Sequence, residues 1–220
     1  MKRKEYKHVI FDMDGTLTDS KPGIINAAIY ASKEMGVKDI PVEQLNNLIG
    51  IPLQDYFKII YGYNNVQVDE AVYHFRKYYG EKGVYENKVY PGIMELFNEL
   101  FNSKIKIYIS TAKYEKYAKV VIRHFNFERY LTDMIGADAA GLHATKTELA
   151  SVIIKRNNIT GLTNTVTVGD KYMDMQAGKD NDIDTIGVTY GFGSREELEN
   201  ENPTYIVDTT NELKYALLNT

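Results

Sequence analysis

From Ile105 to Val188 short apolar runs and helical stretches take turns, and this alternation narrows the possible folds more than any other feature of the chain. Ile105-Lys-Ile-Tyr-Ile-Ser110 reads as a strand, Tyr114 to Phe125 as a helix, the stretch near Met134 as a strand and Thr145 to Arg156 as a helix. Thr165-Val-Thr-Val-Gly169 is again a strand, Met173 to Lys179 a helix and Thr185-Ile-Gly-Val188 a strand. A helix from Gly92 to Phe101 leads into the series. Strands separated by helices lie parallel in one sheet, joined by right-handed crossovers. His8-Val-Ile-Phe-Asp12 adds a further strand, apolar until its last residue as a strand buried on both faces is.

A different rhythm separates that first strand from the rest. Pro22 suits a first helical position, and Ile25, Ala28, Ile29 and Met35 form a helical stripe that Gly36 closes. Pro41 and Pro52 open two more short helical patterns, the second carrying Leu53, Phe57 and Ile60 on one side. Val72, Phe75 and Tyr79 mark a fourth. The expected architecture is an α/β core, a doubly wound parallel sheet of Rossmann-like form, built from residues 1–19 and 86–220. A small helical domain over residues 20–85 is inserted after the first strand. Tyr56, Tyr73, Tyr78 and Tyr79 sit at helical spacing and are expected to fill the insertion's core with their hydroxyls at its rim.

Composition removes several function classes. In a chain of 220 residues, a net charge of -4 gives no support to nucleic acid or an anionic membrane as a partner. No apolar run approaches the roughly 20 residues that span a bilayer. The apolar run after the basic N-terminus, Val9 to Phe11, is too short for a signal peptide, which points to the cytoplasm. With no cysteine, disulfides, thiolate metal sites and cysteine nucleophiles are all excluded. His74, His124 and His143 show no metal spacing, so a metal here would be held by oxygen. Oligomeric state leaves no mark in the sequence.

In an open parallel sheet, ligands bind beyond the carboxyl ends of the strands. Those ends carry Asp12-Met-Asp14-Gly-Thr16, Ser110-Thr111-Ala112-Lys113 and Gly169-Asp170 with Asp174 shortly after, and Lys146 opens the helix before the last of them. Clustered carboxylates repel one another, and an oxygen-only site suits Mg²⁺, which takes one or two carboxylates, waters and a substrate phosphate. Beside such an ion a carboxylate attacks phosphorus, and a second acid two residues away carries the proton. A hydroxyl and an ammonium then serve the equatorial phosphate oxygens. Any one of these residues alone is commonplace; their order and placement give them weight.

Asp12-Met-Asp-Gly-Thr-Leu-Thr-Asp-Ser20, Thr111-Ala-Lys113, Lys146 and Gly169-Asp-Lys-Tyr-Met-Asp174 resemble the four motifs of the haloacid dehalogenase superfamily, in order along nearly the whole chain. The turn Ile186-Gly-Val-Thr-Tyr-Gly-Phe-Gly-Ser-Arg-Glu-Glu-Leu198 is similar to a counterpart in its phosphoglycolate phosphatase-like branch. The resemblance implies a Mg²⁺-dependent phosphatase acting on a small phosphorylated metabolite through an aspartyl-phosphate, beneath a helical cap. Asp12 would be nucleophile and metal ligand, and Asp14 the acid/base with its backbone carbonyl on the metal. Asp170 would bind metal and Asp174 orient the ligands. Thr111, Ala112, Lys113 and Lys146 would meet the phosphate. Ala112 stands where the family often has Asn or Ser, and His143 where this branch often has Arg. A phosphosugar mutase of the same superfamily is the alternative, though Thr16 leans toward phosphatase. A receiver-type signalling domain has its acids adjacent, no helical insertion and about half this length. A silent binding protein has no need of the full catalytic set.

Overall fold

The computed structural model describes residues 4–38, 45, 49, 53–138 and 145–218, and the chain divides into two compact units, Met1–Asp19 with Val89–Thr220, and Ser20–Lys88. Strand β1 (His8–Phe11) belongs to the first. Helices α1 (Lys21–Glu34), α2 (Leu53–Tyr61) and α3 (Asn65–Glu81) belong to the second. The first unit resumes with α4 (Ile93–Asn102), β2 (Lys106–Tyr114), α5 (Glu115–His124), β3 (Leu131–Ala137) and α6 (Lys146–Arg156). It ends with β4 (Thr165–Gly169), α7 (Tyr172–Asp180), β5 (Asp184–Val188), α8 (Arg195–Asn200), β6 (Tyr205–Val207) and α9 (Thr210–Leu218).

The six strands form one parallel sheet in the order β3-β2-β1-β4-β5-β6, with helices on both faces. β1 is central: Val9 lies opposite Ile107 on one side and Val166 on the other. Successive side chains of a strand point to opposite faces, so β1 feeds two separate cores. Phe11 meets Phe97 of α4, ring centroids 5.4 Å apart, and Phe97 in turn meets Phe127 at 5.2 Å. On the other face Ile10 packs with Tyr108, Ile153 of α6, Ile159 and Ile183. The apolar character of β1 and β4 is the consequence of this double burial.

The connections between β1 and its two neighbours leave in opposite directions, so the switch point of this strand order lies where β1 meets β4. Helix starts are fixed locally. Thr145 caps α6 and Ser194 caps α8, each in a reciprocal capping box with the glutamate three residues on. The sequence left β6 and α9 unread. β6 is a three-residue edge strand, too short for a periodic pattern, and α9 docks through Thr210, whose hydroxyl donates to the Pro91 carbonyl at 2.6 Å.

In the second unit α1 packs closely on α3 because α1 offers small residues, Ala27, Ala28 and Ala31, all fully buried. α3 answers with Val68, Ala71, Val72, Phe75 and Tyr79. The tyrosine expectation needs correction. Tyr73 is 64% exposed, because it projects from the face of α3 opposite that stripe. Tyr56 is buried to its hydroxyl rather than reaching the rim. The helical pattern opened by Pro41, and Pro52 itself, lie outside the described residues.

Phe97, itself fully buried, joins Phe11, Phe127 and Tyr130 in one aromatic cluster, so Phe97→Ala is expected to cost about 3–5 kcal/mol of stability. Urea unfolding followed by circular dichroism measures it; a loss below about 1 kcal/mol would show that this face of the sheet is not closely packed.

Candidate active site

The ladder between β1 and β4 continues one residue past β1: the Asp12 amide donates to the Val168 carbonyl at 2.9 Å. Asp12 is thereby held in register beside the end of β4, where Asp170 follows Gly169, the last paired residue of that strand. Asp12 is 7% exposed and Asp170 fully buried. Asp174, on the first turn of α7, folds back so that one carboxylate oxygen each from Asp12, Asp170 and Asp174 lies within 4.8 Å of the others. Asp174 occupies the space a side chain at Gly169 would need: a Cβ there would lie 2.1 Å from its carboxyl carbon.

Lys146 enters from the first turn of α6. Its ammonium forms a close ion pair with Asp12 Oδ1 and a second, at 2.8 Å, with Asp174 Oδ1. Burial disfavours a charged lysine, but Asp12 and Asp174 outweigh it and hold the ammonium above the ordinary lysine range. For Asp12 burial is again the largest influence. Lys146 opposes it, Asp174 and Asp170 reinforce it, and the carboxyl is pushed up to about 7. Burial and Asp174 raise Asp170 to about 6, against the Phe192 amide, Lys146 and Thr16.

Asp170 is gripped on both oxygens. The Thr16 hydroxyl donates to Oδ1 at 3.2 Å, and the Phe192 and Gly193 amides donate to Oδ2 at 2.8 and 3.3 Å. The 190–193 turn is seated in part by Tyr190, whose hydroxyl donates to the Thr16 carbonyl at 3.0 Å. It also needs glycine. A Cβ on Gly191 would lie 2.2 Å from the Gly15 carbonyl oxygen and 2.5 Å from Asp170 Cβ. Gly15 has φ +87° in the loop after Asp14, and a Cβ there would strike the Asp170 carboxylate.

Asp14 stands apart from the cluster. Both its oxygens are bound by Lys113, at 2.7 and 3.0 Å from the ammonium. Thr111 is buried near the end of β2, and its hydroxyl accepts from the Lys113 amide at 3.3 Å. Ala112 is exposed between them. The preceding Ser110 has a buried hydroxyl with no partner among the described residues. His143 lies outside the described residues.

Of the expected residues, the structure therefore brings Asp12, Asp170, Asp174 and Lys146 into one buried cluster and joins Asp14 to Lys113. Asp174, expected only to orient other ligands, contributes a carboxylate to the cluster itself. Sequence reasoning used Thr16 only to lean toward phosphatase over mutase and assigned no role to Tyr190 or the Phe192–Gly193 amides. The Gly191-x-Gly193 spacing was their signal, since glycines so placed permit close backbone approach.

The donor set is hard oxygen throughout, and its three buried carboxylates exceed the single ammonium among them. Two are raised by burial and mutual repulsion, a strain that a divalent cation relieves. The residues fit Mg²⁺.

A family model described as haloacid dehalogenase-like hydrolase matches residues 9–188. The chain belongs to that family. A 5'-nucleotidase of Pseudomonas aeruginosa is 33% identical over 200 residues, covering 91% of this chain and 90% of its own. A phosphoglycolate phosphatase of Vibrio parahaemolyticus is 24% identical over 221 residues, covering 97% and 96%. Among solved structures, a candidate phosphatase from Clostridium difficile superposes with a TM-score of 0.91 at 35% identity, over 98% of this chain and 100% of that one. The haloacid dehalogenase-like chain is thus an enzyme, a phosphatase of its family. Among the described residues no helix is long and apolar enough to cross a membrane.

Gly191→Ala is expected to push the turn off Asp170 and lower phosphatase activity by about 10²-fold, the scale of a 1 Å misplacement, while circular dichroism stays unchanged. Activity within about twofold of wild type would show that the turn does not set the position of Asp170.

Proposed function

We propose that the protein is a Mg²⁺-dependent phosphatase that hydrolyses a small phosphomonoester through an aspartyl-phosphate on Asp12. The observation that carries this reading is the division of labour between two acids on one loop. Asp12 lies in the buried carboxylate cluster against Lys146, while Asp14, two residues on, is held apart by a different lysine. A nucleophile and a proton carrier need such different surroundings.

In this reading Asp12, Asp170 and the Asp14 backbone carbonyl would hold the Mg²⁺, with Asp174 beside them. When bound, the ion offsets the repulsion between these carboxylates and the phosphate. An Asp12 carboxylate oxygen attacks phosphorus while the ester P–O bond breaks. Asp14 gives its proton to the departing alkoxide oxygen. The Lys146 ammonium and the Thr111 hydroxyl bond the equatorial phosphate oxygens, where charge is spread, and the segment at Ala112 borders them. Water then attacks the same phosphorus and Asp14 takes its proton. The bond to Asp12 breaks, and inorganic phosphate leaves with Asp12 restored.

The relatives' names direct the choice of substrate to nucleoside monophosphates and phosphoglycolate, and the sequence adds sugar phosphates to the panel.

Asp12→Asn is expected to keep its fold and to lose turnover by ~10³-fold or more, as removal of a covalent nucleophile does. Phosphate release from a panel of phosphomonoesters, with Mg²⁺ and with excess chelator, tests the whole reading. Release from one or two compounds, abolished by chelator and restored by Mg²⁺, is the expected result. Full activity in chelator would remove the metal from the mechanism. Phosphoryl return to a sugar phosphate instead of water would make the enzyme a mutase.

A further inference from the structure

Lys113 lies three residues beyond Ser110, where β2 loses its regular register with β3 between Thr111 and Tyr114. Its ammonium takes both oxygens of Asp14, at 2.7 and 3.0 Å, and its side chain is only 5% exposed against 20% for the carboxylate. Withdrawing an ammonium from water costs several kcal/mol unless a partner is already in place. A lysine that served only to attract an incoming phosphate would keep its charged end in water until the phosphate arrived. The two-point contact also fixes the plane of the carboxyl group. The terminal torsion of an aspartate is broad, so a carboxylate without such a contact turns freely.

The cations of the site are shared out: Lys146 serves Asp12 and Asp174, and Lys113 serves Asp14. We infer that Lys113 is the positioning residue for the proton carrier: it sets the plane of the Asp14 carboxyl group and stabilises the charge left there when the proton departs. The inference rests on the acid/base reading of Asp14 given above. In the step concerned the O–H bond of Asp14 breaks, its proton passes to the alkoxide oxygen as the P–O bond opens, and the remaining carboxylate faces the ammonium. A charge-assisted bond that strengthens as charge develops lowers the barrier. It does so in proportion to how much the leaving group needs a proton.

The experiment measures kcat and KM for phosphate release from a series running from alkyl phosphates to nitrophenyl phosphate. It compares wild type, Lys113→Gln, Lys113→Arg, Asp14→Asn and the Lys113→Gln/Asp14→Asn double variant. Lys113→Gln is expected to lower kcat on alkyl esters by ~10- to 100-fold, part of the 10²- to 10⁴-fold given by a positioned acid, while sparing nitrophenyl phosphate. Lys113→Arg should recover most of the loss, and the double variant should be no slower than Asp14→Asn. A uniform rise in KM with kcat kept would make Lys113 a phosphate-binding group and overturn the inference. So would losses that multiply in the double variant. If Lys113→Gln melts early, Lys113→Met keeps the buried stem and answers the same question. Should Asp14→Asn itself show no dependence on the leaving group, the acid/base reading falls and this inference with it. If Asp14→Asn shows that dependence and the Lys113 variant does not, only the inference falls.

Discussion

One buried ammonium holds the candidate active site together. Lys146 faces Asp12 and Asp174 with Asp170 close by, so one positive charge stands among three carboxylates that would otherwise drive each other out of the protein interior. A lone buried carboxylate costs several kcal/mol, and each further one adds repulsion. Lys146 moderates that cost without removing it, as the raised Asp12 and Asp170 show. The residual imbalance makes the site receptive to a divalent cation. It also accounts for the many backbone and hydroxyl donors that surround Asp170.

The sheet delivers these groups to one place. Asp12 follows β1, Asp170 follows β4, and the two strands are neighbours although most of the chain lies between them. Lys146 arrives on α6, whose Ile153 also packs beneath β1 in the core with Ile10. The packing that buries Ile10 therefore helps to fix the angle at which the lysine approaches Asp12. Stability and chemistry share the same residues here, so core substitutions beneath β1 will be felt in the site.

Much of this arrangement could be read before any coordinates. The parallel sheet and most of its helices followed from runs such as His8–Phe11 and Thr165–Gly169, where burial on both faces leaves a continuous apolar signature. The site acids were legible because they stand at strand ends, where the fold places ligands. Other features carry no local signal. The grip of the Phe192 and Gly193 amides on Asp170 uses backbone atoms that every residue has, and only the glycines hinted at it. The Lys113–Asp14 pair joins two segments whose proximity depends on the register of β1 with β2. Tyr73 departed from expectation because it falls on the face of α3 opposite Phe75 and Tyr79, and Tyr56 because helical spacing does not say how deeply a face is buried.

The central position of β1 also bears on how the chain folds during synthesis. Val9 pairs with Ile107 and with Val166, so the first strand made is among the last to find both its neighbours. Until residues near 168 have left the ribosome, Val9, Ile10 and Phe11 have no complete sheet to enter and remain an adhesive apolar segment. Such long-range pairing folds slowly and favours aggregation while it waits. The helices of residues 20–88, whose contacts are local, have everything they need much earlier.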